Sequence, residues 1–349
     1  MTGGPSFGIG RVRWAWFIVA AVIALLLPAV TNTNTPALLL IWALFALSLG
    51  LMWGFAGILS FGHAAYFGLG AYTYAIAAMT VGESTGPLLL AIVLPAAVAA
   101  VIGAMMFYGR ISDVYMGVIT LVVTLILFKF MNATAGDAYR IGSARLGGFN
   151  GIPAFPVLNV PGDPSVQIYG TPFYYVVAVL LLLCYLLGRW ILGSYFGRVL
   201  IGIRENEARV ELLGYSAPLY KTAIFTIAAA MAALAGCLFA NWAEIVTPGV
   251  FSLGASAEVI VWTIVGGLGT LAGPMLGAIV LGALKLLLGQ QTLIDNSLVL
   301  GAILVLVVLL LPRGLLPTLA RWRQRQAVAS ISRRQASSTR RRRAARSDP

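Results

Sequence analysis

The stretch between 193 and 217 carries the residues best suited to a specific contact. Leu200, Ile203, Val210 and Leu213 recur there at helical spacing. Among them Arg198, Arg204 and Arg209 balance Glu205, Glu207 and Glu211, with Asn206 in the middle and Gly214 as a helix stop. Two readings are open for such an amphipathic stretch. A helix lying on a membrane surface is usually richer in basic than in acidic residues. The balanced charge here better suits a short helix docked in the groove of a protein partner. Its apolar face would make the contact, Leu212 and Leu213 would form the knob, and the charges would set register.

Two glycine-rich stretches come next. Gly57, Ser60, Gly62 and His63 fall in one, and Gly266, Gly267, Gly269 and Thr270 in the other. Glycine lets helices break or approach closely. A break at membrane depth is tolerated only where it is buried in protein or lines a cavity, and the N-terminus of a half-helix can face a substrate carboxylate. These residues are therefore candidates for a translocation pathway, while close helix packing explains the glycines equally well. The segments 53–61 and 262–271 share an order of aromatic, glycine and hydroxyl residue, which hints at an internal repeat. His63, the single histidine, reads either as a structural partner at a helix junction or as part of that pathway.

Much chemistry is excluded. Gly267-Leu268-Gly269 lies inside an apolar run with no strand before it, so it is not a dinucleotide fingerprint, and no Gly-Lys-Ser/Thr phosphate loop exists. Cys184 and Cys237 sit in apolar runs without metal-ligand spacing. Glu244 and Glu258 read as solvated helix ends, and no nucleophile–base–orienter set is visible. No catalytic residue, cofactor or metal site is expected, and the chain does not read as an enzyme.

The elements that must position these residues are membrane spans. Hydrophobic residues make up 60% of the 349, charged residues 10%, and mean hydropathy is +0.93. A soluble domain has about a quarter of its residues charged. Apolar runs fall at 14–30, 36–54, 64–80, 87–108, 114–131, 172–192, 218–240, 256–270, 272–288 and 297–312, each near the roughly 20 residues needed to cross a bilayer. The first follows Arg11 and Arg13 without a cleavage site and reads as an uncleaved helix. Lys129 and Lys285 lie near the ends of runs, where a long side chain can snorkel.

With ten crossings, the basic N-terminus, the 109–113 connection with Arg110, the 193–217 connection and the C-terminal tail share one side. The excess of Lys and Arg makes that side cytoplasmic. The tail holds ten arginines between Arg321 and Arg346; with Asp348 it accounts for +9 of the net charge of +12, leaving +3 for the rest. The basic balance is thus local, suited to anionic lipid head groups rather than nucleic acid. The expected architecture is an all-α membrane protein of about ten transmembrane helices with both termini cytoplasmic. It comprises a cytoplasmic N-terminus at 1–13, a transmembrane domain at 14–316 and an Arg-rich tail at 317–349. Within the domain, 132–171 forms an ordered or semi-ordered external loop.

Several stretches are familiar in order. They are Gly57-Ile58-Leu59-Ser60-Phe61-Gly62-His63, the segment at 148–153, Ile203-Arg204-Glu205-Asn206-Glu207 through Leu213-Gly214-Tyr215, and Gly266-Gly267-Leu268-Gly269-Thr270. Together they resemble permease subunits of bacterial ABC importers for branched-chain amino acids, over about residues 36–316. The wider importer-permease pattern places Glu-Ala-Ala six residues before a glycine. Here Ala208 holds that first position and Glu207 stands one residue early, so the wider pattern is matched loosely. The resemblance implies a bacterial inner-membrane permease and makes 193–217 the loop that couples to ATPases. The implied partners are a second permease, two cytoplasmic ATPase subunits that hydrolyse ATP, and a periplasmic or lipid-anchored binding protein. The implied substrate is leucine, isoleucine, valine, or a related small amide such as urea. The alternative is an ion-coupled secondary transporter or channel, which should place ionisable residues in mid-span; these are nearly absent.

Overall fold

The computed structural model describes residues 32–136 and 138–289, with Pro28 and Gly301 beside them. The expected first span at 14–30 and last span at 297–312 otherwise lie outside the described residues, as does the Arg-rich tail. Among the described residues there are nine α-helices. They are α1 (Asn34–Ala56), α2 (Ala64–Val81), α3 (Thr85–Tyr108), α4 (Asp113–Ala133), α5 (Thr171–Gly193), α6 (Tyr195–Leu212), α7 (Ala217–Ala243), α8 (Leu253–Gly266) and α9 (Ala272–Leu288). Six of these, α1 to α5 and α7, are long and apolar enough to cross a membrane.

The eighth and ninth apolar runs come out differently from the expectation. At about 1.5 Å per residue, the 14 residues of α8 cover about 21 Å and the 17 of α9 about 25 Å. Both fall short of a hydrocarbon core of about 30 Å. The chain leaves the helix at 267–271, so the run at 256–270 is not continuous helix. The two helices form an antiparallel hairpin.

The buried centre is built from α1, α2 and α7, whose touching faces are small. Ala46, Ala71, Ala75, Ala228, Ala232 and Ala235 are all fully buried. A side chain on Gly70 would run into the Ala233 backbone, and one on Gly236 into the Phe67 backbone. Lipid offers no hydrophobic drive between helices, so such close backbone approach is what holds a membrane bundle together. The outer helices show the reverse. Val114, Val118, Val122 and Ile126 on α4, and Tyr175, Val179, Leu183 and Leu187 on α5, are exposed in rows four residues apart. One apolar stripe per helix is left for lipid or a partner subunit.

At the end of the bundle away from α6, the connection 134–170 takes part in three short antiparallel pairs, one of them with the segment after α7. They are β1 (Arg140–Ile141) with β2 (Ala144–Arg145), β3 (Ile152–Pro153) with β6 (Ile245–Val246), and β4 (Asn159–Val160) with β5 (Asp163–Gln167). The Tyr74 hydroxyl donates to the Pro156 carbonyl (3.1 Å), and the Leu158 N–H donates to Asn241 Oδ1 (2.8 Å). The Ser84 hydroxyl donates to Asn159 Oδ1. These bonds tie the connection to α2, α3 and α7 in an ordered arrangement. At its rim the Ser165 side chain and N–H both donate to Asp163, holding that carboxyl below its ordinary range.

Candidate functional site

The candidate site lies at the opposite end, where α6 crosses the bundle. Ser194 makes the corner. Its N–H closes α5 on the Trp190 carbonyl (3.0 Å), and its hydroxyl oxygen accepts the Gly197 N–H (3.4 Å) that opens α6. A side chain at Gly197 would collide with the Leu192 backbone. Leu200 and Ile203 then point into the protein. At Asn206 the backbone turns extended (φ −163°, ψ 97°), dividing α6 into two arms, and Asn206 Oδ1 accepts the Arg209 N–H (2.9 Å) to cap the second. Gly214 (φ 90°) ends it, in a conformation that favours glycine. The return into α7 is fixed by stacked rings, Phe196 on Tyr220 at 5.1 Å and Tyr195 beside Tyr215 at 5.9 Å.

The second arm departs from the simple amphipathic expectation. Val210 is buried, but Leu213 is 71% exposed and Leu212 89% exposed. The break at Asn206 resets the helical phase, so Leu213 does not continue the face of Leu200 and Ile203. Two neighbouring leucines instead project at the tip. The charges are partly used within the chain: Lys221 pairs with Glu207 (2.5 Å) and Arg110 with Glu211 (3.8 Å), while Arg198 lies over the Tyr195 ring. Glu205 and Arg209 are exposed.

The first glycine-rich stretch is a helix break inside the bundle. Gly57 ends α1 with φ 78°. The chain then runs back along α1, because His63 Nε2 meets Ser48 Oγ at 2.8 Å. Ser48 lies eight residues before the end of α1, about 12 Å up the helix. Thus α2 starts within the bundle. The Thr124 hydroxyl of α4 shares its hydrogen between the Gly62 carbonyl (3.0 Å) and the Thr120 carbonyl (2.9 Å), and a side chain on Gly62 would strike the Thr120 carbonyl. The Ser48 hydroxyl is also 2.6 Å from the Phe45 carbonyl. The Ser48 hydroxyl thus bridges the Phe45 carbonyl and the His63 ring. The His63 ring stacks on Phe45. His63 Nδ1 and Ser60 Oγ remain buried without a partner, as do Tyr72 Oη on α2 and Ser256 Oγ on α8. Breaking the Ser48–His63 bond with Ser48→Ala should cost about 1 kcal/mol, with more where a buried donor is orphaned. A lowered melting temperature in detergent checks it. His63→Gln should lower the melting temperature less than Ser48→Ala, because an amide can still bond to Ser48 at that junction.

The second glycine-rich stretch turns α8 into α9. Gly267 (φ 111°) and Gly269 (φ 80°) make the turn. The Thr270 hydroxyl donates to the Gly267 carbonyl (3.0 Å) and accepts the Gly273 N–H (3.1 Å), opening α9. A side chain on Gly277 would collide with the Trp262 carbonyl, and one on Gly266 with the Gly273 backbone. The hairpin is clasped by Lys285 and Glu258 (2.5 Å), with Lys285 also over Trp42 of α1 at 5.6 Å. Lys285 therefore pairs across the hairpin rather than snorkelling, and Glu258 is not simply a solvated helix end. Both are about a third exposed, so Glu258→Gln should cost no more than about 1 kcal/mol, readable as a small shift in melting temperature.

Both stretches pack on α1, on different faces. His63 meets Ser48, whereas side chains at Gly50 and Gly54 would meet Pro274 and Gly269. Arg204 joins α6 to α1 between them: its guanidinium donates to the Gly54 carbonyl, its stem passes beside Gly57, and its Nη1 faces Gly269. Sequence reasoning missed Ser48, Thr120, Thr124, Gly54 and Lys221, all partners distant along the chain. The spacing of Gly50 with Gly54, and of Gly273 with Gly277, was a readable signal of tight helix packing. Among the described residues no three of His, Cys, Asp and Glu gather where they could hold a metal ion.

Residues 32–309 match the protein family described as "Branched-chain amino acid transport system / permease component". The chain is 28% identical to the high-affinity branched-chain amino acid transport system permease protein LivM of Escherichia coli K12, covering 90% of this chain and 77% of the relative. It is 25% identical to the probable branched-chain amino acid transport permease protein LivM of Methanocaldococcus jannaschii, over 72% and 81% of the two chains. It is also 27% identical to the permease protein LivH of E. coli K12, over 79% of this chain and 91% of the relative. No solved structure matches. The bundle of apolar helices and the match over most of its length place this chain in the family of branched-chain amino acid transport system permease components.

Proposed function

We propose that this chain is the permease subunit of an ATP-driven importer that moves branched-chain amino acids across the inner membrane. The observation that carries the proposal is the kinked α6. It presents the Leu212–Leu213 pair outward while its first arm is bonded through Arg204 to the end of α1, beside the two helix breaks. In this reading Arg198, Glu205, Asn206, Glu207, Leu212, Leu213 and Gly214 form the face that meets an ATPase. Gly57, Ser60, Gly62 and His63, with Gly266, Gly267, Gly269 and Thr270, belong to the translocation pathway. Support for the pathway comes from the start of α2 inside the bundle and the unpartnered Ser60 Oγ and His63 Nδ1 beside it. The N-terminus of a half-helix buried in a bundle can face a substrate carboxylate.

The partners are a second permease of the same family, two ATPase subunits and a periplasmic or lipid-anchored binding protein. The folded connection at 134–170 is the surface offered on the far side. The transmembrane domain runs over 14–316 and holds ten apolar runs, two of them the short hairpin of α8 and α9, and the N-terminus at 1–13 and the tail at 317–349 are cytoplasmic. Single cysteines at Gly151, Gly214 and Arg323 test the topology with an impermeant thiol reagent. Gly214 and Arg323 should label from the cytoplasm and Gly151 from outside; Gly151 and Arg323 labelling from one side contradicts this topology. Competition of labelled leucine uptake by isoleucine and valine, but not by urea, tests the substrate.

A further inference from the structure

The Arg204 guanidinium donates to the carbonyl of Gly54. That carbonyl belongs to the last turn of α1, because Gly57 has already left the helix and its N–H returns to Trp53. The last carbonyls of a helix have no partner within it, and a cation there also meets the negative end of the helix dipole. Arg204 thus caps α1 from another helix. The same side chain passes beside both breaks. A Cβ built on Gly57 would lie 3.3 Å from Arg204 Cγ, and one built on Gly269 would lie 3.8 Å from Arg204 Nη1. Gly57 opens the first break and Gly269 sits in the turn of the second.

Arg204 stands two residues before the kink at Asn206, on the arm that Leu200 and Ile203 anchor. The exposed leucine pair ends the other arm. We propose that Arg204 is a positioning residue for transport. It transmits displacement of the α6 tip to the end of α1, and through it to the breaks at 57–63 and 267–271 together. This inference rests on the reading of α6 as the ATPase-docking helix, but assigns Arg204 an inward role rather than a place in the docking face. Its planar group and several donors let it hold the Gly54 carbonyl while facing Gly269.

The test uses the complete importer, with partner permease and ATPase subunits, in proteoliposomes. Three quantities are measured for wild type, Arg204→Gln, Arg204→Lys and Leu212→Asp: ATPase retained on pull-down, ATP hydrolysed, and leucine imported. For Arg204→Gln, ATPase retention and hydrolysis should persist while leucine imported per ATP falls about tenfold, the scale of losing one charged hydrogen bond. Arg204→Lys should restore part of that ratio, because an ammonium still caps the carbonyl. A wild-type ratio for Arg204→Gln overturns the proposal, and so does loss of the ATPase itself, which would put Arg204 in the docking face. Wild-type ATPase retention by Leu212→Asp instead overturns the docking reading, whatever Arg204 does. Should Arg204→Gln fail to fold, amide exchange on the wild-type complex decides. ATP should change exchange at 57–63 and 267–271 together, and a change at neither contradicts the proposal.

Discussion

Leu212→Asp and Leu213→Asp should leave the permease folded and inserted but remove the proposed ATPase co-purification and substrate-stimulated ATP hydrolysis. In the subunit itself both side chains project from the end of α6, 89% and 71% exposed. A carboxylate there is solvated and should change stability by no more than about 0.5 kcal/mol. In a partner groove the same carboxylate is desolvated without a counter-charge, at a cost of several kcal/mol. Each 1.4 kcal/mol or so is tenfold in affinity, so binding should weaken by orders of magnitude. Pull-down of the ATPase by detergent-solubilised permease reads this directly. Wild-type binding and uptake in both variants would remove α6 as the coupling element and return weight to an ion-coupled mechanism.

Gly62→Ala has the second large effect, and for a different physical reason. Gly62 needs no unusual backbone angle; what it lacks is room. A Cβ built there lands on the Thr120 carbonyl and beside Thr124 Oγ1. A side chain can rotate aside, but the α4 backbone cannot. The break must therefore lift off α4, loosening the bond from Thr124 to the Gly62 carbonyl. Overpacking of this kind costs about 1–3 kcal/mol, with about 1 kcal/mol more for the hydrogen bond. Melting temperature and uptake should both fall. Gly86→Ala is the control, since a Cβ there meets nothing within 4 Å and alanine favours a helix. A Gly62→Ala permease melting with wild type would show that the break is not pressed against α4.

The long spans were legible because apolar runs and their boundaries are local properties. The runs at 36–54, 114–131 and 172–192 became Asn34–Ala56, Asp113–Ala133 and Thr171–Gly193. Glycine at 57 and at 267–269 marked both breaks. Depth was not legible. Nothing within 57–63 indicates that the chain returns to Ser48, because that contact is made by a different helix. The course of α6 was half legible. A 3.6-residue period carries Leu200 and Ile203 inward correctly, but Asn206 interrupts the helix and periodicity cannot be counted through a non-helical residue. For that reason Leu213 emerged at the surface. The Lys221–Glu207 and Lys285–Glu258 pairs join different helices, beyond the three- and four-residue spacings that reveal pairs within one.

Energy source separates an importer permease from a secondary transporter most directly. Proteoliposomes holding this chain with its partner permease, ATPases and binding protein should take up labelled leucine only with ATP, and collapse of the proton and sodium gradients should leave that uptake unchanged. Leucine accumulation by this chain alone under an ion gradient, without ATP or ATPase subunits, would contradict the account.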